Sequence, residues 1–186
     1  FTVANLATNF HRSIEAETTQ RILKSIFNNP IFFEHHNPLP EAEIFLDEGA
    51  ANHCRFCKTF QGPGIQLFVY GKSLDNTFQR PIKFPARQTQ EASNAIIRLH
   101  KLYPRHFLLA RQNPESIDAG VFHNDVISVA NQNVFLLHEK AFFDQERLLK
   151  NLEERLSAVS DTNLIVIEVK ESELPLPVIS LPTLSV

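Results

Sequence analysis

Methionine and tryptophan are both absent from the 186 residues, and cysteine and glycine occur only two and five times. Because the chain begins at Phe1 without a methionine, we expect a fragment or a processed product of a longer protein. No apolar run reaches the roughly 18 residues that a membrane-spanning helix requires. The net charge of −3 provides no basic excess for nucleic acid or for an anionic membrane. These absences exclude a membrane protein and a nucleic-acid-binding protein from the expected classes.

The two cysteines, Cys54 and Cys57, form a Cys-x-x-Cys pair next to His53. A secreted disulfide scaffold would need more cysteines. Structural zinc normally takes four ligands, often from two such pairs, and the second pair is absent although His35 and His36 are available. No strand–Cys-x-x-Cys–helix context supports a redox dithiol. We therefore predict reduced thiols in a cytoplasmic protein without a bound metal, with a metal-binding module as an alternative.

The composition, 43% hydrophobic and 21% charged, is typical of one globular domain with a substantial core. Three amphipathic patterns predict helices, with Thr89 as N-cap of the second and Asp144 as N-cap of the third. Phe143 and Leu148 are placed to form a hydrophobic staple on the third helix. The expected apolar stripes are Ala92, Ile96 and Leu99 in the second helix and Leu148, Leu149, Leu152 and Leu156 in the third. The predicted helices cover residues 17–28, 89–103 and 144–158, and the predicted strands cover 1–6, 65–71, 106–110, 121–138 as a hairpin, and 163–169.

Strand pairs alternate with helices along the chain, and the helices recur about every 60–70 residues. This spacing favours a structural repeat in which each unit is a small sheet with one helix on its outer side. Such units packed around an axis would form a propeller-like α/β body. We therefore predict an α/β fold of repeated ββαβ units in a single domain over residues 1–186. The proline-broken segment 174–186 is expected to lead into the remainder of a longer protein.

The first strand of the predicted hairpin opens with His123, Asn124 and Asp125. Because alternate side chains of a strand share a face, His123 and Asp125 are predicted on one face and Asn124 on the other. An imidazole beside a carboxylate suits proton transfer or cation binding, although a solvated strand end fits equally well. Residues 46–53 bring an acid, an asparagine and a histidine to a comparable place before an earlier strand pair. From the pattern alone, the candidate site contains Glu48, Asn52 or His53, His123 and Asp125.

Several longer motifs occur in one order: "FHRS", "DEGAANH", "QLFVYG", "PARQTQEAS" and "QNPESIDAGVFHNDVISVANQNV". Together they resemble the succinylarginine dihydrolases, bacterial guanidine-modifying enzymes (penteins) of arginine catabolism, from Phe1 to about Val169. The resemblance implies a partial five-bladed α/β propeller with about two to three blades in this chain. It also implies a homodimer of the full-length protein.

The resemblance further implies hydrolysis of N-succinylarginine to N-succinylornithine, two ammonia and carbon dioxide, with no metal or organic cofactor. His123 matches the catalytic histidine of the family, and Glu48 matches the acid that accompanies it. Asp125 matches the carboxylate that grips the substrate guanidinium. The nucleophilic cysteine of the family lies C-terminal to Val186, so we expect this chain alone to be inactive.

Three further positions, His11, Arg12 and Arg87, match substrate contacts in the family. Arginine suits this substrate because a guanidinium binds carboxylates bidentately. Without the resemblance, Glu48 could be a turn carboxylate that caps backbone N–H groups, and Arg87 could pair with Glu91. A deiminase, a dimethylarginine hydrolase and a non-catalytic metal-binding or interaction module stay as alternatives.

Overall fold

The computed structural model describes residues 1–75 and 79–179 as helices, strands and connecting segments. The strands are β1 (His53–Cys57), β2 (Gly64–Tyr70), β3 (Phe107–Arg111), β4 (Ser128–Asn131), β5 (Val134–His138) and β6 (Ile165–Val169). The helices are α1 (Phe10–Ser13), α2 (Glu15–Ile26), α3 (Gln90–Leu99), α4 (Pro114–Asp118), α5 (Gln145–Ser160) and α6 (Leu176–Ile179). Short 3-10 turns lie at Glu43–Phe45, Gly49–Asn52, Pro104–His106 and Asn124–Val126.

Two units of the same ββαβ topology carry all six of these strands. In the first unit β1 and β2 are antiparallel, α3 crosses over, and β3 adds parallel to β2. The second unit repeats this order with β4, β5, α5 and β6. Each unit begins at a 3-10 turn that leads into its first strand. The predicted α/β class and the predicted ββαβ repeat are therefore confirmed, as two mixed three-stranded sheets.

The core lies where the two units pack together. The rings of Phe56 on β1 and Phe135 on β5 meet edge to face, with centroids 4.9 Å apart and an interplanar angle of 74°. This T-shaped contact is one of the arrangements that aromatic quadrupoles favour. Helix α5 of the second unit adds Leu152 and Leu156, both fully buried, to the cluster that contains Ile65 of β2. The two sheets therefore share one hydrophobic core.

The predicted helix after Thr89 is confirmed at its start and shorter at its end. The Thr89 hydroxyl accepts a hydrogen bond from the Ala92 amide at 3.2 Å, as an N-cap does. The helix ends at Leu99 because Lys101 takes a left-handed backbone (φ 51°), so the predicted extension to residue 103 is wrong. The predicted apolar stripe is wrong at Leu99, which is exposed. Ile97 and Ser93 are buried instead, and the Ser93 hydroxyl donates to the Thr89 carbonyl.

Helix α5 buries Leu148, Leu152 and Leu156, which confirms that stripe. The predicted side-chain N-cap is wrong, because Asp144 has a left-handed backbone (φ 55°) where a capping residue needs an extended one. Its carboxylate pairs with Arg147 at 2.9 Å instead. Helix α2 lies two residues earlier than predicted, and its apolar face is largely exposed.

The N-terminal segment is not the strand that its residue types suggested. It forms one isolated parallel bridge, between Thr2 and His36, and Leu6 takes a left-handed backbone (φ 51°) that a strand cannot accommodate. At the other end, Leu176 is buried at the start of α6, and residues 180–186 of the predicted proline-broken segment lie outside the described residues. Over the described ranges, no helix has the length and apolar character needed to span a bilayer.

Candidate active site

Glu48 and His123 occupy equivalent positions in the two units. Each is the residue before the 3-10 turn that opens its unit. Packing of the units brings the two side chains together across 75 residues of sequence, with His123 Nε2 3.0 Å from Glu48 Oε2. An imidazole in direct contact with a buried carboxylate is held in one orientation, as an acid–base catalyst requires.

The Glu48 carboxylate is buried, with a side chain that is 1% exposed, and three donors surround it. Oε2 accepts hydrogen bonds from His123 and, at 3.2 Å, from Arg12 Nη1, while Oε1 accepts one from the Thr8 hydroxyl. Burial raises the pKa of Glu48, but the hydrogen bonds from His123 and Thr8 and the nearby positive charges outweigh burial. The net effect is a lowered pKa, so the carboxylate is ionised at neutral pH.

The backbone at Glu48 is fixed by its neighbours. Gly49 has a left-handed backbone (φ 66°), and a Cβ there would lie 2.9 Å from the Ala4 methyl carbon, so only glycine fits. The Gly49 amide donates to Asp47 Oδ1 at 3.0 Å. The Glu48 amide donates to the side-chain oxygen of Gln88 at 2.8 Å. These bonds fix the backbone of the loop from which the Glu48 carboxylate reaches His123 of the second unit.

Asp47 and Glu48 are adjacent acids whose pKa values move in opposite directions. Burial raises the pKa of Asp47, and its hydrogen bonds from Gly49 and Gln88 do not fully offset that cost. Glu48 accepts hydrogen bonds from two other segments, one of them from the charged Arg12, whereas Asp47 accepts only from neutral groups. Asp47 therefore holds the loop, and Glu48 is the acid whose ionised form is favoured by its surroundings.

The segment at His123 differs from the predicted strand. His123 itself is extended (φ −128°), but the next three residues form a 3-10 turn and β4 starts only at Ser128. Strand alternation does not apply in this turn, so the prediction that His123 and Asp125 share a strand face is wrong. Asn124 is buried because its amide donates to Asn52 Oδ1 and its side-chain oxygen accepts from the Ser128 hydroxyl at 2.7 Å. Asp125 is exposed.

Arg87 lies against the residue that precedes His123. Its guanidinium carbon is 4.4 Å from the centre of the Phe122 ring, within the range of a cation–π contact. The alternative partner, Glu91, accepts hydrogen bonds from the Ser73 hydroxyl and from the backbone at residue 74. The carboxylate of Glu91 is therefore hydrogen-bonded to the segment at residues 73 and 74.

The structure thus brings three of the six predicted site residues into direct contact and leaves two exposed. Glu48, Arg12 and His123 form the contact, and His11 and Asp125 are exposed. Sequence reasoning missed Thr8, which nothing in the local pattern distinguishes. It also missed Gln88, although its place directly after Arg87 was a signal for a supporting role.

The two cysteines are free, and neither is fully exposed. Burial raises the pKa of the Cys54 thiol to about 11, so it stays protonated at neutral pH. Cys57 is buried in the core. No group of three or more histidine, cysteine or acidic side chains in the described parts of the chain is placed to hold a metal ion.

A buried carboxylate paired with a histidine at the junction of two ββαβ units is an arrangement that can transfer protons, here on an α/β scaffold. Comparison with known proteins gives the family: residues 1–179 match the model of the succinylarginine dihydrolase family, and the chain belongs to it. The N-succinylarginine dihydrolases of Marinobacter nauticus and Hahella chejuensis are each 50% identical to the chain, over 177 and 182 residues. That of Shewanella oneidensis is 52% identical over 170 residues.

These matches cover 95%, 94% and 91% of this chain but only 39%, 41% and 37% of the respective relatives. The chain therefore spans about two fifths of the length of the curated relatives it matches.

Proposed function

We propose that the protein to which this chain belongs hydrolyses the guanidino group of N-succinylarginine. The products are N-succinylornithine, two ammonia and carbon dioxide, and two water molecules are consumed. The observation that carries the proposal is the contact between His123 and Glu48 in a chain of this family. The names of the relatives, N-succinylarginine dihydrolase, supply the substrate.

In the proposed mechanism His123 transfers protons and Glu48 orients and stabilises it. A guanidinium carbon is a poor electrophile, so a covalent nucleophile must attack it before ammonia leaves. His123 would protonate the departing ammonia and then activate water. The ionised Glu48 stabilises the imidazolium that gives its proton to ammonia and that forms again when His123 takes a proton from water, and the lowered pKa of Glu48 is consistent with this role.

The nucleophile is assigned to a cysteine outside the 186 residues. The family resemblance suggests this position, and the state of the two cysteines here supports it. A nucleophilic cysteine needs a lowered thiol pKa, whereas burial raises the pKa of Cys54 to about 11. Cys57 is 1% exposed and packs in the core, out of reach of a substrate.

The substrate groups are assigned to residues around the His123–Glu48 contact. Arg87 is proposed to bind a carboxylate of the substrate, because its guanidinium is half-exposed and lies on the ring next to His123. Asp125 is proposed to bind the substrate guanidinium from its exposed position two residues beyond His123. His11 and Arg12 are proposed as further contacts on α1, where Arg12 already lies against Glu48.

The two ββαβ units are proposed to be two blades of a five-bladed propeller. Strand β6 supports this proposal, because Ile165 and Ile167 are each half-exposed on a strand that, among residues 1–75 and 79–179, pairs on one side only. Apolar side chains on such an edge are a surface for further protein. We infer a homodimer in the cytoplasm from the family resemblance, and a small-molecule substrate from the names of the relatives.

The test is ammonia release from N-succinylarginine by the protein as produced from its gene, with the 186-residue chain in parallel. We expect activity in the longer protein only, at two ammonia per N-succinylornithine. Arginine and dimethylarginine serve as competing substrates, and preference for either would replace the proposed substrate. Activity in the 186-residue chain would contradict the placement of the nucleophile. Activity in neither protein on any of these substrates would refute the proposed function.

A further inference from the structure

A second contact ties the loop of Glu48 to the loop of His123. The side-chain oxygen of Asn52 accepts a hydrogen bond from the backbone amide of Asn124 at 3.0 Å. Asn52 ends the 3-10 turn that follows Glu48, and Asn124 directly follows His123. The bond therefore runs beside the His123–Glu48 contact and joins the same two segments.

Both asparagines are buried, at 3% and 1% exposure. The Asn52 side chain uses only its oxygen, because its Nδ2 is buried without a hydrogen-bond partner among residues 1–75 and 79–179. A buried amide group without a partner reduces stability, so its presence needs an explanation. The unpartnered Nδ2 is explained if the Asn52 side-chain oxygen is needed to accept the hydrogen bond from the Asn124 backbone amide.

Asn124 is itself rigidly held. Its side-chain oxygen accepts from the Ser128 hydroxyl at 2.7 Å, and its Nδ2 lies 3.6 Å from Cys54 Sγ. The backbone of His123 is covalently continuous with this fixed residue. A displacement of the Asn124 backbone would therefore also move the His123 imidazole.

We propose that Asn52 is a positioning residue that sets the separation of the Glu48 carboxylate and the His123 imidazole. It contacts neither the substrate nor the reacting atoms and acts only by holding the two loops in register. The expected effect on activity rests on the proposed function, whereas the expected effect on geometry does not.

The test is Asn52→Ala in the protein as produced from its gene. Because a misplacement of about 1 Å can cost about 100-fold in rate, we expect kcat to fall about 10- to 100-fold. KM should change much less, because the bond does not touch the substrate. The acidic limb of the kcat/KM profile should move to higher pH, since part of what lowers the pKa of Glu48 is its bond from His123. Asn52→Asp keeps an acceptor oxygen and should retain more of kcat than Asn52→Ala.

Ser160→Ala is the matched control. The Ser160 hydroxyl is buried and donates to the Pro63 carbonyl at 2.8 Å, beyond the opposite end of β1 from Asn52. This variant should lose thermal stability to a similar degree while kcat and the pH profile stay unchanged. If Asn52→Ala does not fold, Asn52→Ser replaces it, because a serine hydroxyl is too short to reach the Asn124 amide.

A crystal structure of the variant separates this inference from the proposed function. Separation of Glu48 Oε2 and His123 Nε2 beyond 3.5 Å would support the positioning role even if the wild-type protein did not act on N-succinylarginine. An unchanged 3.0 Å contact, or an unchanged kcat and pH profile in an active protein, would overturn it.

Discussion

Replacing Glu48 with glutamine removes a buried charge while preserving the shape of the side chain. The amide oxygen of glutamine can still accept from His123 and Arg12. Its nitrogen can donate to the Thr8 hydroxyl, because a hydroxyl accepts as well as donates. The substitution therefore tests the charge and not the packing.

The cost can be estimated from the two charge-assisted bonds. Bonds of this kind contribute about 1.5–3 kcal/mol, against about 0.5–1.5 kcal/mol for neutral ones. Because the Arg12 side chain is 35% exposed, its share is reduced by solvent screening. The free energy of unfolding should fall by about 1–2 kcal/mol, mostly through the His123 bond. The rate should fall much more, about 10²- to 10⁴-fold, because the imidazolium loses its counter-charge during proton transfer.

The assay is ammonia release at saturating N-succinylarginine, together with thermal unfolding of the same preparations. Glu91→Gln is the control, because Glu91 accepts hydrogen bonds on a different segment, at Ser73 and Leu74. This control should keep its activity. A Glu48→Gln enzyme whose kcat stayed within about threefold of the wild-type value would refute the assigned role.

Three further outcomes follow from the same contacts. His123→Ala should abolish turnover and largely spare folding, whereas His106→Ala, which loses a bond to the Gly64 carbonyl and one from Arg105, should keep its turnover. Phe122→Leu should raise KM about tenfold with little change in kcat, since it removes the ring beneath Arg87, and equal losses in both constants would contradict this assignment. The lowered pKa of Glu48 should stabilise the fold above pH 4.5, and that gain should disappear as pH falls through the folded-state pKa. Denaturation curves of wild type and Glu48→Gln at pH 3–7 measure this gain in stability. The same pH dependence of stability in both proteins would exclude Glu48 as the source of the gain.

Long regular patterns in the sequence predicted the scaffold well. The leucines of α5 keep a helical spacing from Leu148 to Leu156, and the run "IQLFVYG" overlaps β2, because in both cases burial on a regular element determines the residue types. The segment at residues 1–6 has the same residue types without the same outcome. Asn5 there donates to the backbone carbonyls of Leu39, Pro40 and Phe45, and Leu6 turns the chain. Such long-range side-chain bonds leave no periodic trace in a sequence.

The sequence pointed to some residues of the candidate site but not to its geometry. The motifs identified Glu48, His123 and Arg12, but they did not indicate that Arg12 bonds to Glu48. Strand alternation predicted the wrong orientation at Asp125, because the buried bonds of Asn124 favour a 3-10 turn over an extended chain. Local pattern rules fail at this point because the bond from Asn124 to Asn52 of the other unit helps to determine the backbone.

The pairing of Glu48 with His123 follows from the repeat itself. Each residue precedes the 3-10 turn of its unit, so two copies of one topology, packed through a shared core, bring the same position of each unit face to face. Burial of Glu48 alone would raise its pKa and favour the neutral form. Donors from Thr8, Arg12 and His123 reverse that effect, and only one of the three comes from the second unit. His123 contributes most to the lowered pKa of Glu48, and Thr8 and Arg12 of the N-terminal segment add to it. The carboxylate therefore has two donors besides the imidazole with which it is proposed to act.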